Sequence, residues 1–119
     1  MAKKTIFIIE DDPDISELMQ MIVESEGFVV RTFSEMEKIE SVIAKQKPQL
    51  VIMDLSVGGV DSAAIARKLK YEKQTSGTRV LLVSAKTSLA EIARAARVDG
   101  YLAKPFDIKD LIGNIKKLT

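Results

Sequence analysis

The sequence predicts an α/β domain in which a doubly wound, five-stranded parallel sheet carries helices on both faces. Short apolar runs alternate with segments of helical periodicity along the chain, which is typical of consecutive βαβ units. The apolar runs lie near 5–9, 28–32, 50–53, 79–83 and 100–103. Because 119 residues suit one compact domain, we assign residues 1–119 to a single domain.

Capping residues and apolar stripes predict the first two helices. Asp12 caps a first helix that has Pro13 in its first turn and stops at Gly27. Ser34 and Glu37 form a capping-box pattern at the start of the second helix. The two apolar stripes are Ile15, Leu18, Met19, Ile22 and Val23, and then Met36, Ile39 and Ile43.

The same reasoning predicts three further helices. The third runs from near Ser62 to near Glu72. Ser88 is the candidate cap of a short fourth helix, and Asp107 is the predicted cap of the fifth. The residues expected to face the sheet are Ile65 and Leu69 in the third helix and Ile108, Leu111, Ile112, Ile115 and Leu118 in the fifth.

Composition excludes several classes of function. The chain has no Cys and no His, which removes thiol chemistry, disulfides, imidazole metal ligands and His-based triads. The net charge is only +1, and basic residues alternate with acids along the predicted helices, so we expect no direct binding of nucleic acid. No apolar run approaches the length of a membrane span, and no signal peptide is recognisable. We therefore expect a cytoplasmic protein without membrane insertion.

Polar groups follow four of the apolar runs. Glu10 and Asp11 end the first run, Asp54 the third, Ser84 the fourth and Lys104 the fifth. In a flavodoxin-like strand order, 2-1-3-4-5, the first and third strands are neighbours at the crevice where open α/β sheets bind ligands. We therefore expect three carboxylates, a hydroxyl and an ammonium to converge at one edge of the sheet.

Crowded carboxylates resist ionising together, and an oxygen-rich site favours Mg²⁺ bridging to phosphate. Asp54 would then be a nucleophile, Lys104 a fixed cation beside a phosphoryl oxygen, and Ser84 a hydrogen-bond donor. Each residue taken alone also has an ordinary interpretation. Asp54 or Ser84 could cap a turn, and Lys104 could be an exposed surface lysine.

The motifs IIEDDPDI, LVIMDL, LLVSA and DGYLAKPF together resemble the receiver domain of two-component response regulators, across essentially the whole chain. The resemblance implies that Asp54 accepts a phosphoryl group from a histidine kinase or a histidine phosphotransfer protein. It also implies that Glu10, Asp11, Asp54 and the backbone carbonyl of Ser56 hold Mg²⁺. A receiver of this kind is no enzyme in the usual sense, because it catalyses only its own phosphoryl transfer and the hydrolysis of its aspartyl phosphate.

The resemblance further implies a switch made of Ser84 and Tyr101. Movement of the Ser84 hydroxyl toward the phosphoryl group would free space into which Tyr101 turns. The alternative for Tyr101 is a half-buried strand residue with its hydroxyl in water. The switch would alter a face formed by the fourth helix, fifth strand and fifth helix. The implied partners are a downstream effector protein or domain, or a second copy bound as a homodimer through that face.

The chain departs from the family pattern in two places. DLSVGGVDSA lacks the Met-Pro that receivers usually carry after the phosphorylated Asp, and Gly58 and Gly59 make that loop permissive. The usual Gly-Ala before the fifth strand is also absent, with Ala96 and Arg97 near that place. The altered loop supports an alternative function, a pseudo-receiver that binds partners without phosphorylation.

A third class comprises an enzyme that acts on phosphate esters through an aspartyl intermediate, and a flavin-binding protein. Phosphatases of that kind favour a second Asp two residues after the nucleophile, where this chain has Ser56. A flavin site needs a phosphate loop after the first strand, whereas EDDPD would repel phosphate in the absence of a metal. Both members of this class fit the sequence poorly.

Overall fold

The computed structural model describes residues 4–119, which form five helices and seven strands. The strands are β1 (Thr5–Ile9), β2 (Val29–Phe33), β3 (Leu50–Asp54), β4 (Ser56–Val57), β5 (Val60–Asp61), β6 (Arg79–Ser84) and β7 (Gly100–Ala103). The helices are α1 (Pro13–Ser25), α2 (Ile39–Gln46), α3 (Ala63–Tyr71), α4 (Leu89–Ala96) and α5 (Ile108–Leu118). The first three residues, which the sequence assigns to the same domain, lie outside this described part.

Five strands form one parallel sheet in the order β2-β1-β3-β6-β7. The two short strands, β4 and β5, pair with each other in a separate antiparallel hairpin. Counted over the main sheet alone, the order is the predicted 2-1-3-4-5. The predicted doubly wound, flavodoxin-like sheet is therefore confirmed.

Two apolar layers enclose this sheet, one on each face. Helices α1 and α5 supply one layer, whose buried members include Met19, Val23, Leu111 and Ile115 over Ile8 and Ile52. Helices α2, α3 and α4 supply the other, which includes Ile43, Leu69 and Ala93 over Phe7, Val51 and Leu82. Successive residues of a strand point to opposite faces, so residues 6–9 of β1 and 50–53 of β3, which are buried on both faces, are all apolar. Each such side chain contributes about 1.5–3 kcal/mol through burial.

The predicted caps of α1 and α5 are confirmed. The Asp12 carboxylate accepts hydrogen bonds from the backbone N–H groups of Asp14 and Ile15, at 2.9 and 3.2 Å. The Asp107 carboxylate accepts one from the N–H of Asp110 at 2.9 Å. Both caps satisfy helix N–H groups that have no partner within the helix. They set the start of the two helices that cover one face of the sheet.

The capping interactions predicted for α2 and α4 are absent from the described residues. The Ser34–Glu37 segment is not helical, and α2 begins only at Ile39, after Lys38 in a left-handed conformation with φ of 61°. Met36 is buried in the core just before this start, so tertiary packing overrides the capping-box pattern. Ser88 does precede α4, but its side chain makes no capping hydrogen bond.

Two apolar residues that were expected to face the sheet are exposed instead. Leu18 is 48% exposed and Ile108 is 55% exposed. Leu18 lies at one edge of the α1 stripe, and Ile108 is the first residue of α5. Within residues 4–119, no helix is both long enough and apolar enough to cross a bilayer.

Replacing Asp107 with Ala removes the side-chain cap of α5. We expect this variant to lose about 1 kcal/mol of unfolding free energy, because the Asp110 N–H loses its partner. The melting temperature should fall by about 3–6 °C. Thermal and urea unfolding followed by circular dichroism measure both quantities. Lys109→Ala, an exposed change in the same helical turn, is the control, and equal losses in the two variants would contradict this role of the cap.

Candidate functional site

The parallel register brings the ends of four strands to one edge of the sheet. Ile9 pairs with Met53, so Glu10 and Asp54 occupy neighbouring positions directly afterwards. Asp54 in turn pairs with Val83, immediately before Ser84. Ser84 pairs with Ala103, immediately before Lys104. The strand register therefore places these polar groups at one edge of the sheet, as the sequence predicts.

Lys104 is the centre of the ion pairs at this edge. Its Nζ lies 2.9 Å from Glu10 Oε1 and 3.0 Å from Asp54 Oδ1. Its backbone N–H donates to the Ser84 carbonyl at 2.8 Å, which ties the residue to β6. The lysine thus bridges two carboxylates from different strands and does not extend freely into solvent, since its side chain is only 21% exposed.

The three predicted carboxylates form one cluster. Glu10, Asp11 and Asp54 each offer an oxygen, and these oxygens lie within 4.8 Å of one another. Glu10 is buried, and its Oε2 accepts a hydrogen bond from the Asp12 backbone N–H at 3.1 Å. Asp11 is exposed, and its Oδ2 accepts one from the Gly58 N–H at 2.9 Å. Each carboxylate therefore meets a different environment.

Those environments shift the protonation equilibria of the site in different directions. Burial raises the pKa of Glu10 above its usual value, although the hydrogen bond from Lys104 opposes this. The hydrogen bond from the Gly58 N–H lowers the pKa of Asp11. Burial works against the charged form of Lys104, but the hydrogen bonds and charges of Glu10 and Asp54 outweigh it and raise the lysine pKa. The lysine therefore remains a cation at neutral pH.

The donor set fits a hard divalent cation such as Mg²⁺. Carboxylate oxygens are the ligands that Mg²⁺ prefers, and one ammonium does not balance three carboxylates. The fourth predicted ligand residue, Ser56, is exposed in β4 at the rim of this edge. Ser56 and Ser84 line a shared cavity of about 160 Å³, to which Asp61 and Lys86 also contribute.

The two predicted switch residues lie on adjacent strands. Ser84 is buried, and its Oγ accepts a hydrogen bond from the Lys86 backbone N–H at 3.0 Å, which leaves the hydroxyl proton available for donation. Tyr101 is 50% exposed and pairs in register with Leu82. Tyr101 therefore lies two residues before the Ala103 that pairs with Ser84, on the outer strand β7.

The sequence reasoning missed the β4–β5 hairpin. Gly58 and Gly59 form its two-residue turn, with φ of 58° and 79°. Positive φ at both positions is the requirement of a type I′ turn, so Val-Gly-Gly-Val between short β segments is a recognisable hairpin pattern. Val57 anchors the hairpin in the core, while the Gly58 N–H reaches Asp11. The permissive loop is thus an ordered element that contacts the acidic cluster.

The strand order defines a flavodoxin-like α/β domain. The three carboxylates lie where the direction of the strand order reverses, which is the usual place of a ligand site in such a sheet, and their oxygens suit a cation. Residues 6–116 match the family model described as the response regulator receiver domain. The chain belongs to the receiver domain family of response regulators, which act in two-component signalling.

Curated relatives and solved structures agree with this assignment. The chain is 28% identical over 115 residues to the DNA-binding dual master transcriptional regulator RpaA of Synechocystis, covering 95% of this chain and 48% of RpaA. It is 27% identical over 118 residues to the phosphate regulon transcriptional regulatory protein PhoB of Pseudomonas aeruginosa, covering 98% of this chain and 52% of PhoB. The chain spans about half the length of these curated relatives.

Two solved receivers share the fold. The CheY-like receiver domain protein of Methanospirillum hungatei JF-1 has a TM-score of 0.87 at 25% identity, covering 98% of this chain and 94% of that chain. The chemotaxis response regulator CheY4 of Vibrio cholerae has a TM-score of 0.88 at 17% identity, covering 99% and 100%. The second likeness, at such low identity, bears on the fold alone.

The raised pKa of Glu10 would make binding of Mg²⁺ to the three-carboxylate cluster dependent on pH. Protonation of Glu10 removes one negative charge from the ligand set, so affinity should fall as pH is lowered through that raised pKa. The decline should therefore begin at a higher pH than it would for a glutamate of ordinary pKa. Calorimetric titration with MgCl₂ at several pH values measures it.

Glu10→Gln is the test variant for this prediction, and Glu26→Gln, an exposed change at the far end of α1, is its control. Glu10→Gln should bind Mg²⁺ more weakly and lose the pH dependence that protonation of Glu10 causes. An affinity that does not change with pH in the unmodified protein would contradict the prediction. So would an unchanged pH profile in Glu10→Gln.

Proposed function

We propose that this receiver is a phosphoacceptor, in which Asp54 takes a phosphoryl group from a phosphohistidine. One observation carries the proposal. Lys104 Nζ lies 3.0 Å from Asp54 Oδ1 and 2.9 Å from Glu10 Oε1, inside a cluster of three carboxylates. A cation fixed beside a carboxylate nucleophile is what phosphoryl transfer requires, because catalysis of this step is mostly positioning and electrostatic stabilisation.

In the proposed reaction an Asp54 carboxylate oxygen attacks the phosphorus atom. The new O–P bond forms as the P–N bond to the donor imidazole breaks, and the imidazole leaves with the bonding electron pair. Lys104 engages Oδ1 of Asp54, and among residues 4–119 no hydrogen bond or ion pair is made by Oδ2, which suits attack by Oδ2. The ammonium is then close enough to pair with an oxygen of the transferred group.

Glu10, Asp11, Asp54 and the Ser56 carbonyl would hold Mg²⁺ during this reaction. The bound ion would supply positive charge that stabilises the phosphoryl oxygens. Asp11 is the most accessible of the three carboxylates, and its lowered pKa keeps it ionised at neutral pH. The Gly58 N–H engages Asp11 through Oδ2, which leaves Oδ1 to face a cation.

The acyl phosphate would act as a switch through Ser84. The Ser84 hydroxyl would donate to a phosphoryl oxygen, and the shift would open space for Tyr101 to turn inward from its half-exposed position. The face that changes comprises α4, β7 and α5. A phosphoryl group adds negative charge and three acceptor oxygens, which is sufficient to bias two arrangements of a small face.

The proposal includes the partners and setting that the receiver family implies. The donor is a histidine kinase or a histidine phosphotransfer protein, and the recipient is an effector protein or domain. Self-association through the α4–β7–α5 face is a third option. We also propose a cytoplasmic location and no catalysis beyond self-phosphorylation and hydrolysis of the aspartyl phosphate.

A second candidate function is a pseudo-receiver that signals without phosphorylation. The observation in its favour is the β4–β5 hairpin, whose Gly58 N–H already satisfies Asp11. If the hairpin holds Asp11 away from a metal, the acidic cluster becomes a structural element that positions the hairpin for a partner. The presence of Glu10, Asp54, Ser84 and Lys104 around the same edge favours the phosphoacceptor.

Phosphorylation at Asp54 has a direct test by intact-protein mass spectrometry with acetyl phosphate. We expect the mass of one phosphoryl group to be gained in the presence of Mg²⁺ and lost on treatment with hydroxylamine, which cleaves acyl phosphates. Asp54→Asn should reduce labelling by about a hundredfold or more, because the nucleophile is gone.

Asp110→Asn, an exposed change on α5, is the matched control and should label normally. Persistent labelling of Asp54→Asn would show that the acceptor is another residue. No mass gain in the unmodified chain, together with no response to Mg²⁺, would support the pseudo-receiver.

The proposed switch predicts that Tyr101 becomes less accessible after phosphorylation. In a Tyr71→Phe background, Tyr101 is the only tyrosine, so acrylamide quenching of tyrosine fluorescence reports on it alone. We expect the quenching constant to fall about twofold on phosphorylation. Ser84→Ala should be phosphorylated without that fall. Equal quenching before and after phosphorylation of the parent would rule out inward movement of Tyr101.

A further inference from the structure

Arg97 occupies a backbone conformation that does not suit an arginine. It follows α4 as the C-terminal cap residue, with φ of 58°, and its N–H donates to the carbonyls of Ala93 and Arg94. Helices commonly end this way with Gly, which has no Cβ to clash. Arg97 also stands near the place where receivers usually have Gly-Ala before the last strand of the sheet. The strain points to a use for this side chain.

The structure places Arg97 in a groove between α3 and α4. The groove has a volume of about 340 Å³ and is lined by Arg67, Lys70, Tyr71, Ala96 and Arg97. A separate cavity, which Arg94 and Tyr101 help to line, serves the α4–β7–α5 face. The departure at Arg97 therefore bears on the α3–α4 groove, which is distinct from the face that the proposed switch would alter.

The groove carries two arginines without carboxylate partners. Lys70 is neutralised, because its Nζ lies 2.9 Å from Asp99 Oδ2 and also donates to two backbone carbonyls. Arg67 and Arg97 are exposed and form no ion pair with any residue of the described range 4–119. No acidic side chain lines the groove. Two guanidinium groups are thus available to an anionic ligand.

Tyr71 adds an aromatic surface beside these cations. It is 86% exposed and lies one helical turn after Arg67, on the same side of α3. So exposed a ring contributes little to the core, and Tyr and Arg are the residues most enriched at the centres of protein interfaces. The groove therefore combines charge and an apolar contact in the way that a protein-binding site does.

We propose that the α3–α4 groove binds an acidic segment of a partner protein. Its carboxylates pair with Arg67 and Arg97, and an apolar side chain lies against the exposed ring of Tyr71. Arginine suits this role because its planar fork can bind a carboxylate through two hydrogen bonds. A nucleic acid fits less well, because the chain has a net charge of only +1 and two arginines do not form the basic stripe of a nucleic-acid-binding protein. This interaction goes beyond the proposed phosphoacceptor function and does not require it.

A short, blocked synthetic peptide with glutamates on both sides of one phenylalanine is the probe. Binding is measured by fluorescence anisotropy of a labelled copy at two salt concentrations, and amide chemical shifts of ¹⁵N-labelled protein locate it. We expect saturable binding that weakens with salt and shifts confined to the groove residues. The double variant Arg67→Gln with Arg97→Gly should bind about tenfold more weakly.

Two further variants separate binding from folding. Lys109→Gln with Lys116→Gln removes the same charge from exposed sites on α5 and should bind the peptide as the parent does. Arg97→Gly alone should be more resistant to urea than the parent, since Gly relieves the left-handed strain, yet bind less well. A loss of both stability and binding would show that Arg97 is merely structural and would overturn the proposal.

The remaining outcomes are equally decisive. Absence of saturable peptide binding overturns the proposal, as does binding whose shifts map to other basic residues. Equal weakening in the groove variant and the α5 variant indicates charge attraction without a site, and also overturns it. A duplex DNA oligonucleotide is the competing probe. Saturable DNA binding at Arg67 and Arg97, with no peptide binding, would show that the ligand of the groove is nucleic acid and would overturn the proposal.

Discussion

The bridge from Lys104 to Glu10 and Asp54 is the interaction on which this edge of the molecule depends. Three carboxylates lie within a few ångströms of one another, and Glu10 is buried, so the cluster would repel itself without a cation. Lys104 supplies that charge from the far side of β6. Removing Lys104 would leave the buried carboxylate of Glu10 without its countercharge, which is more destabilising than losing a surface ion pair.

The same bridge relates structure to chemistry. Lys104 balances the charge of the cluster only in part, with one ammonium against three carboxylates, and this leaves the site suited to further positive charge. The two bonds that hold Lys104 are also bonds to the groups that phosphoryl transfer would use. Stability and proposed function therefore rely on one set of contacts, whereas the apolar layers on both faces of the sheet hold the strands in register.

The two departures from the family pattern have separate structural consequences. Gly58 and Gly59 replace a rigid corner with a type I′ hairpin that reaches the acidic cluster, so this departure acts at the proposed reaction site. Arg97 instead lies in the groove between α3 and α4, away from the α4–β7–α5 face. The Gly58–Gly59 departure thus changes the surroundings of the acidic cluster, and the Arg97 departure changes the surface of the α3–α4 groove.

The sequence by itself determined the alternation of strands and helices, the polar residues that end four of the strands, and the caps at Asp12 and Asp107. Apolar runs and capping residues are local signals, whereas the strand order, and with it the convergence of Glu10, Asp54, Ser84 and Lys104, was expected from the flavodoxin-like fold that this alternation fits. Only the tertiary structure decided that α2 starts at Ile39, that Leu18 and Ile108 are exposed, and that Arg97 and Tyr71 share a groove. Those outcomes depend on how helices pack against the sheet and against each other, and packing between distant segments leaves no periodic trace in the sequence.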